Sequence, residues 1–201
     1  MYIPPHFRND NREELLAFMR AHPFALVASN GEKIPYATHL PFAIVETGEK
    51  LRLLSHFSAA NPHAHSLREG EEVLVIFSGP NAYVSPSHYE KKENVPTWNY
   101  IAVHATGKVH IDNSGALKEE VLQQMIAGFE PAYGEQWESL DPKYVAGLMK
   151  GIIAFEVEVI NLEGKFKLSQ NKTAEERSRI ASATRNSGLS DWMNQSNKNE
   201  V

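Results

Sequence analysis

Aromatic and hydrogen-bonding side chains crowd one stretch of the chain: Tyr83, His88, Tyr89, Trp98, Asn99, Tyr100 and His104. A short strand-like piece, Ala82-Tyr83-Val84, leads to a turn at Ser85-Pro86-Ser87 and a charged loop from Glu90 to Asn94. After Pro96 a β-rich run extends from Thr97 to Val109. Strand alternation puts Trp98 and Tyr100 on one face, and Asn99 with Ile101 and Val103 on the other. Such a polar-aromatic loop carried by a strand suits a flat, polar, aromatic ligand. The ordinary alternative, for any one of these rings, is the core of a half-buried strand.

Two further stretches suit an anion. Asn61-Pro62 reads as a helix start, with Asn as the cap and Pro at the first helical position. Free N–H groups at such a start attract anions, although most such Asn residues only cap a connecting helix. The segment 165–172 carries Lys165, Lys167 and Lys172 with Ser169, Gln170 and Asn171, and has few apolar residues to anchor it. In solvent it would be flexible. It lies between a clear strand and a capped helix, so a phosphate is a natural organiser through charge-assisted hydrogen bonds. A solvated surface charge is the alternative for each lysine.

Other chemistries find no pattern. The chain has no cysteine, which excludes disulfides, thiolate zinc sites and a thiol nucleophile. Among nine histidines, His63-x-His65 has the wrong spacing to share a helical face, and no HExxH occurs. No metal site is expected. There is no G-x-S-x-G elbow, P-loop or G-x-G-x-x-G.

The 201 residues suffice for one domain with its own core, and no internal repeat or domain boundary is evident. Hydrophobic residues make up 42%, slightly low but far from disordered composition. No apolar run approaches a membrane span, and Met1 leads into Tyr2-Ile3-Pro4-Pro5 without a signal pattern, so a soluble cytoplasmic protein is expected. The formal charge of −5 works against a nucleic-acid partner, which would need a local basic patch.

The positioning elements follow in order. Asn9 to Ala21 reads as a helix with an Asp10-x-x-Glu13 capping box and an apolar face of Leu15, Phe18 and Met19. Strands are expected at 24–29, 35–45 and 50–56, the first two joined by the Asn30-Gly31 hairpin signal. Pro41 marks a bend, bulge or edge within the second. The Asn61 helix should end near Gly70, before a buried strand from Glu72 to Ser78. Helices are expected from Ser114 to Phe129 and from Asp141-Pro142 to about Lys150, with a linker at Gly134-Glu135-Gln136. Gly151 to Asn161 alternates as a half-exposed strand. Thr173-x-x-Glu176 is a second capping box, opening a helix to about Arg185. One last turn is expected at Gly188 to Met193, followed by a frayed end from 194 to 201.

The runs VSPSHY and VPTWNY-x-AVHA-x-G, with MYIPPHF at the start, ATHLPF at 37–42 and KLSQNK at 167–172, resemble the FMN-binding negative transcriptional regulators of the Pai B type. The likeness spans Met1 to about Arg185. A tryptophan often fills the position of His88 in that family. The resemblance implies a mainly β fold with peripheral helices, a six-stranded antiparallel split β-barrel, as one domain over 1–201 with a helical tail from about 173 to 196. It implies FMN as cofactor, held by Thr38, His39, Ser55, His56, Asn61, Trp98, Asn99, Lys167, Gln170 and Lys172. It also implies a homodimer with flavin in a groove between protomers. There the 165–172 segment is expected to close the site onto the Asn61 corner of a second copy. The output would be that of a flavin-linked regulator or an FMN-dependent oxidoreductase. Two alternatives remain: a haem-handling split barrel, and a repressor that reads DNA directly. Glu175 and Glu176 open the tail helix, and no helix-turn-helix pairing accompanies it.

Overall fold

The computed structural model describes residues 1–112 and 115–198. Among these, one sheet holds β1 (Arg8–Asn9), β2 (Phe24–Ser29), β3 (Tyr36–Pro41), β4 (Ala43–Thr47), β5 (Lys50–Ser58), β6 (Glu72–Val84), β7 (Thr97–Ile111) and β8 (Ile152–Lys167). Their order is β3-β2-β6-β7-β8-β5-β4, and β1 pairs with β8. The pairings of β1 with β8, β2 with β3 and β6, and β5 with β4 and β8 are antiparallel. The mainly β class agrees with expectation. The seven-strand path exceeds the expected six for a local reason. Pro41 has no N–H, and Phe42 is the last residue in the β2–β3 register: its N–H bonds the Pro23 carbonyl at 2.9 Å, and from Ala43 the chain pairs with β5 instead. The expected strand 35–45 is therefore two strands, β3 and β4, at opposite ends of the order. Ser55 Oγ fastens this corner by donating to the Pro41 carbonyl at 2.7 Å.

Two compact units can be distinguished by packing, and β6, β7 and β8 contribute residues to both. The first comprises Met1–Phe18, Ser78–Val103 and 163–198. Helix α1 (Arg12–Ala21) begins in it, capped by Asn11 rather than Asp10: Asn11 Oδ1 accepts from the N–H groups of Glu13 and Glu14. The rings of Phe18, Phe166 and Trp192 meet edge-on or tilted at 5.6–5.7 Å. Helices α6 (Ala174–Ala183) and α7 (Ser187–Lys198) bury Ile180, Leu189 and Met193 beside them. The α6 capping box is formed as expected. Helix α7 runs well past the single expected turn, and 194–198 belong to it; 199–201 lie outside the described residues. Gly164 is required here, because a Cβ would lie 2.3 Å from Leu15 Cδ2 and 2.7 Å from the Asn9 carbonyl, where β1 meets β8.

The second unit is Met19–Phe77 and His104–Leu162. Phe42 meets Phe77 and Phe155 edge-on, and Phe155 stacks on Phe57 with centroids 4.7 Å apart. Helix α3 (Ala116–Phe129) lays Leu117, Val121 and Met125 on Ala43, Leu54 and Ala154. Its expected start, Ser114, lies outside the described residues. The expected linker at 134–136 is a helix, α4 (Gly134–Ser139), which has no side-chain cap to announce it. Helix α5 (Pro142–Lys150) is capped by Asp141 as expected. Helix α2 (Pro62–Ser66) is barely more than one turn and ends before Gly70. No helix among the described residues is long and apolar enough to cross a membrane.

Candidate functional site

The segment from Phe166 to Lys172 is ordered by the chain itself. Phe166 and Leu168 are buried, and Phe166 lies within β8, so the stretch has more apolar anchorage than its composition suggested. At Ser169 the backbone enters the left-handed region, with φ of 68°, the only non-glycine residue to do so among those described. This costs on the order of 1–3 kcal/mol and persists only where neighbours enforce it. Asn99, fully buried on β7, enforces it. Asn99 Nδ2 donates to Ser169 Oγ at 2.8 Å, and Asn99 Oδ1 lies 3.2 Å from the same hydroxyl. Gln170 turns back to bond the Phe166 carbonyl and the Leu168 N–H.

This turn brings Lys167 and Lys172 to one cavity of about 220 Å³ in the first unit. Thr97, Asn99, Ser169 and Asn171 supply polar wall, and Phe7, Tyr89 and Val95 apolar wall. Lys167 Nζ donates to Thr97 Oγ1 and to the Trp98 carbonyl. Burial, and next the charge of Lys165, push the Lys167 ammonium below the ordinary lysine range. Lys172 Nζ donates to Asn94 Oδ1 at 2.9 Å and sits 4.0 Å from the centroid of the Tyr89 ring. No carboxylate lines the cavity among the described residues. Glu176 lies within electrostatic reach of Lys172, but its oxygens are committed to the Glu90 and Thr173 N–H groups. Trp98 points outward, 54% exposed, with its ring edge-on to the exposed Tyr83.

The five expected residues of the second unit form a separate group. Three have committed polar atoms. Thr38 Oγ1 lies 2.8 Å from His63 Nδ1, Ser55 holds the Pro41 corner, and Asn61 Oδ1 accepts from the His63 N–H at 3.0 Å. His39 is exposed and its ring stacks on Phe24. His56 is half-buried, its Nδ1 lacks a hydrogen-bond partner, and burial lowers its proton affinity.

Sequence reasoning missed His63. It is 2% exposed, with Ser29 Oγ 2.9 Å from Nε2 and Thr38 on the other nitrogen, and its ring stacks on Tyr36. Burial lowers its proton affinity, opposed more weakly by Glu71. It also missed Asn94 and Thr97 as cavity residues, and named Tyr89 and Ser169 within their stretches without assigning them to the cofactor. Only their nearness to Trp98 and to the lysine run pointed to them. Among the described residues no group of three ligating side chains is placed to hold a metal.

The antiparallel order, with its two end strands joined at the Pro41-Phe42 corner, is that of a split β-barrel. Two solved structures share it: the FAD and heme binding protein from Mycobacterium smegmatis and the flavocytochrome Anf3 from Azotobacter vinelandii. The first has a TM-score of 0.64 at 19% identity, over 89% of this chain and 80% of that one. The second has a TM-score of 0.63 at 20% identity, over 82% and 72%. At such identity the likeness shows the fold alone. Residues 1–161 match the family described as "Putative FMN-binding domain". The protease synthase and sporulation protein PAI 2 of Bacillus subtilis is 38% identical over 174 residues, 86% of this chain and 83% of that protein. An uncharacterized protein of Emericella nidulans, AN0679, is 31% identical over 190 residues, covering 76% of each. The chain belongs to this FMN-binding domain family.

Proposed function

We propose that the protein binds FMN as a homodimer and couples it to a regulatory or oxidoreductase output of the Pai B type. The observation that carries this reading is the first unit's cavity. There two lysines, one of them desolvated, have neutral direct partners beside the aromatic wall of Tyr89 and Phe7. A built cavity with convergent polar groups and perturbed cations is the default binding-site hypothesis. Family membership supplies the flavin. Lys167, Lys172, Asn99 and Gln170 build or line the anchoring end, and Trp98 flanks it. His39 and His56, whose nitrogens are uncommitted, are proposed as ring contacts supplied by the second copy of the dimer. Thr38, Ser55 and Asn61 act as supports whose polar atoms are already used. FMN bound there would supply hydride or one-electron chemistry.

The dimer reading rests on the outward aromatic face of the first unit. Tyr83 and Trp98 are exposed there, and the Lys165 ammonium lies 5.2 Å from the centroid of the half-buried Tyr100. Exposed aromatics beside a cation are the composition of an interface core. Direct DNA reading gains no support from the tail helix. Arg179 is spent on the His88 carbonyl and on Glu90.

The test is reconstitution of the purified protein with FMN, followed by its visible spectrum and flavin fluorescence, with gel filtration for mass. The reading expects bound, quenched flavin and a dimer. Flavin that elutes wholly free, or haemin bound in preference to FMN, would overturn it.

A further inference from the structure

We propose that the Lys167–Lys172 cavity is the seat of a phosphomonoester dianion, so that FMN is held by its terminal phosphate and selected over riboflavin and FAD. The flavin half of this statement rests on the reading above; the phosphate seat stands on the geometry alone.

An ammonium has three N–H donors. Lys167 spends two, on Thr97 and the Trp98 carbonyl, and Lys172 spends one on Asn94. Three charged N–H groups therefore have no hydrogen-bond acceptor, and Lys172 meets only the Tyr89 ring besides Asn94. Asn171, which lines the cavity and is exposed, adds an amide. No carboxylate in the wall competes for them.

About 220 Å³ falls short of the roughly 300–1,000 Å³ that encloses a drug-sized ligand. The cavity fits a terminal group and leaves the rest of the ligand to other surface. Phe7, Val95 and Tyr89 wall it on the apolar side, and a drier site strengthens charge-assisted bonds.

The left-handed turn at Ser169, pinned by buried Asn99, sets two lysines five residues apart on one cavity. The like charges of Lys165 and Lys167, left close together, repel each other, and an arriving anion relieves that repulsion. A phosphomonoester carries a charge of about −1.5 to −2 at neutral pH. Each phosphate of a dinucleotide pyrophosphate carries about one charge and is flanked on both sides. The seat therefore favours the terminal monoester.

The experiment uses the full chain, stripped of flavin. Inorganic phosphate is titrated by ³¹P line broadening, and FMN, riboflavin and FAD by flavin fluorescence. Phosphate should bind and compete with FMN, and FMN should bind at least about tenfold tighter than riboflavin or FAD. Lys167→Ala and Lys172→Ala should each weaken FMN and phosphate by about tenfold and leave riboflavin within about twofold. Asn94→Asp guards against a lysine variant that misfolds. It keeps the bond to Lys172, adds a carboxylate to the cavity, and should abolish phosphate competition while circular dichroism is unchanged. FMN binding that is strong in the wild type and indifferent to all three substitutions would overturn the seat and leave the flavin reading intact. The absence of phosphate binding by the wild type would also overturn it. Phosphate binding that the variants abolish, in a protein that takes no flavin, would uphold the seat and overturn the flavin reading.

Discussion

Arg52 and the Lys167–Lys172 pair are both cations drawn partly out of solvent, one in each unit, and they are treated in opposite ways. Arg52 is closed by carboxylates. It makes a forked pair with Glu120 at 2.9 and 3.0 Å and bonds Glu156 as well, which raises its proton affinity further. Its charge is used up inside the fold. The lysines rest on a hydroxyl, a carbonyl, an amide and an aromatic ring. Those groups orient an ammonium without cancelling it. A paired cation is part of the scaffold; an oriented, uncancelled one at a cavity is available to a ligand.

The largest effect should come from the scaffold side. Arg52→Ala leaves Glu120 and Glu156 facing each other part-buried, and should destabilise the fold by about 3 kcal/mol in urea denaturation. FMN affinity of the folded protein should stay within about twofold. A loss of FMN binding with the fold intact would break the contrast. Next is Asn99→Leu, which strands the Ser169 hydroxyl in the core and should cost about 2 kcal/mol. Unlike the arginine variant, it should also weaken FMN, because the turn that places both lysines is released. Asn61→Leu ranks third. It removes a cap bond to the His63 N–H and should cost about 1 kcal/mol. If FMN affinity falls by more than that loss, Asn61 belongs to the binding site after all.

Much of the fold was legible where the chemistry is local. Asp141-Pro142, Asn61-Pro62 and Thr173 with Glu176 announce their helices because a cap and its donor lie within three residues. Features set at a distance were not legible. The strand expected at 72–78 and the separate piece at 82–84 are one thirteen-residue strand, β6, because sheet pairing carries the chain straight through Gly79-Pro80-Asn81. The reach of β8 to Lys167 depends on β1. In the site, the lysines and Asn99 could be named from the run and the strand face. Ser169 could not be singled out, because its partner Asn99 is 70 residues away. His63 stayed hidden because its hydroxyl partners are 34 and 25 residues away.

Smaller effects come from pH and separate the two kinds of site further. Burial lowers the proton affinity of His22, His56 and His63. The unfolded chain therefore binds more protons than the fold as pH drops below about 6.5. Stability should be full above that value and decline below it, read as a falling urea midpoint between neutral and mildly acidic buffers. On the alkaline side, Lys167 loses its charge earlier than an ordinary lysine, because of burial and Lys165. Phosphate and FMN affinity should fall as pH rises toward, but short of, about 10.4, while riboflavin affinity should not. Parallel profiles for FMN and riboflavin would place the titrating group away from the phosphate.

The most direct measurement is a side-by-side FMN titration of the wild type, Lys172→Ala and Arg52→Ala, at a temperature where circular dichroism shows all three folded. The account predicts that the lysine variant loses about tenfold in affinity and that the arginine variant keeps it. An arginine variant that loses FMN beside a lysine variant that keeps it would contradict the account.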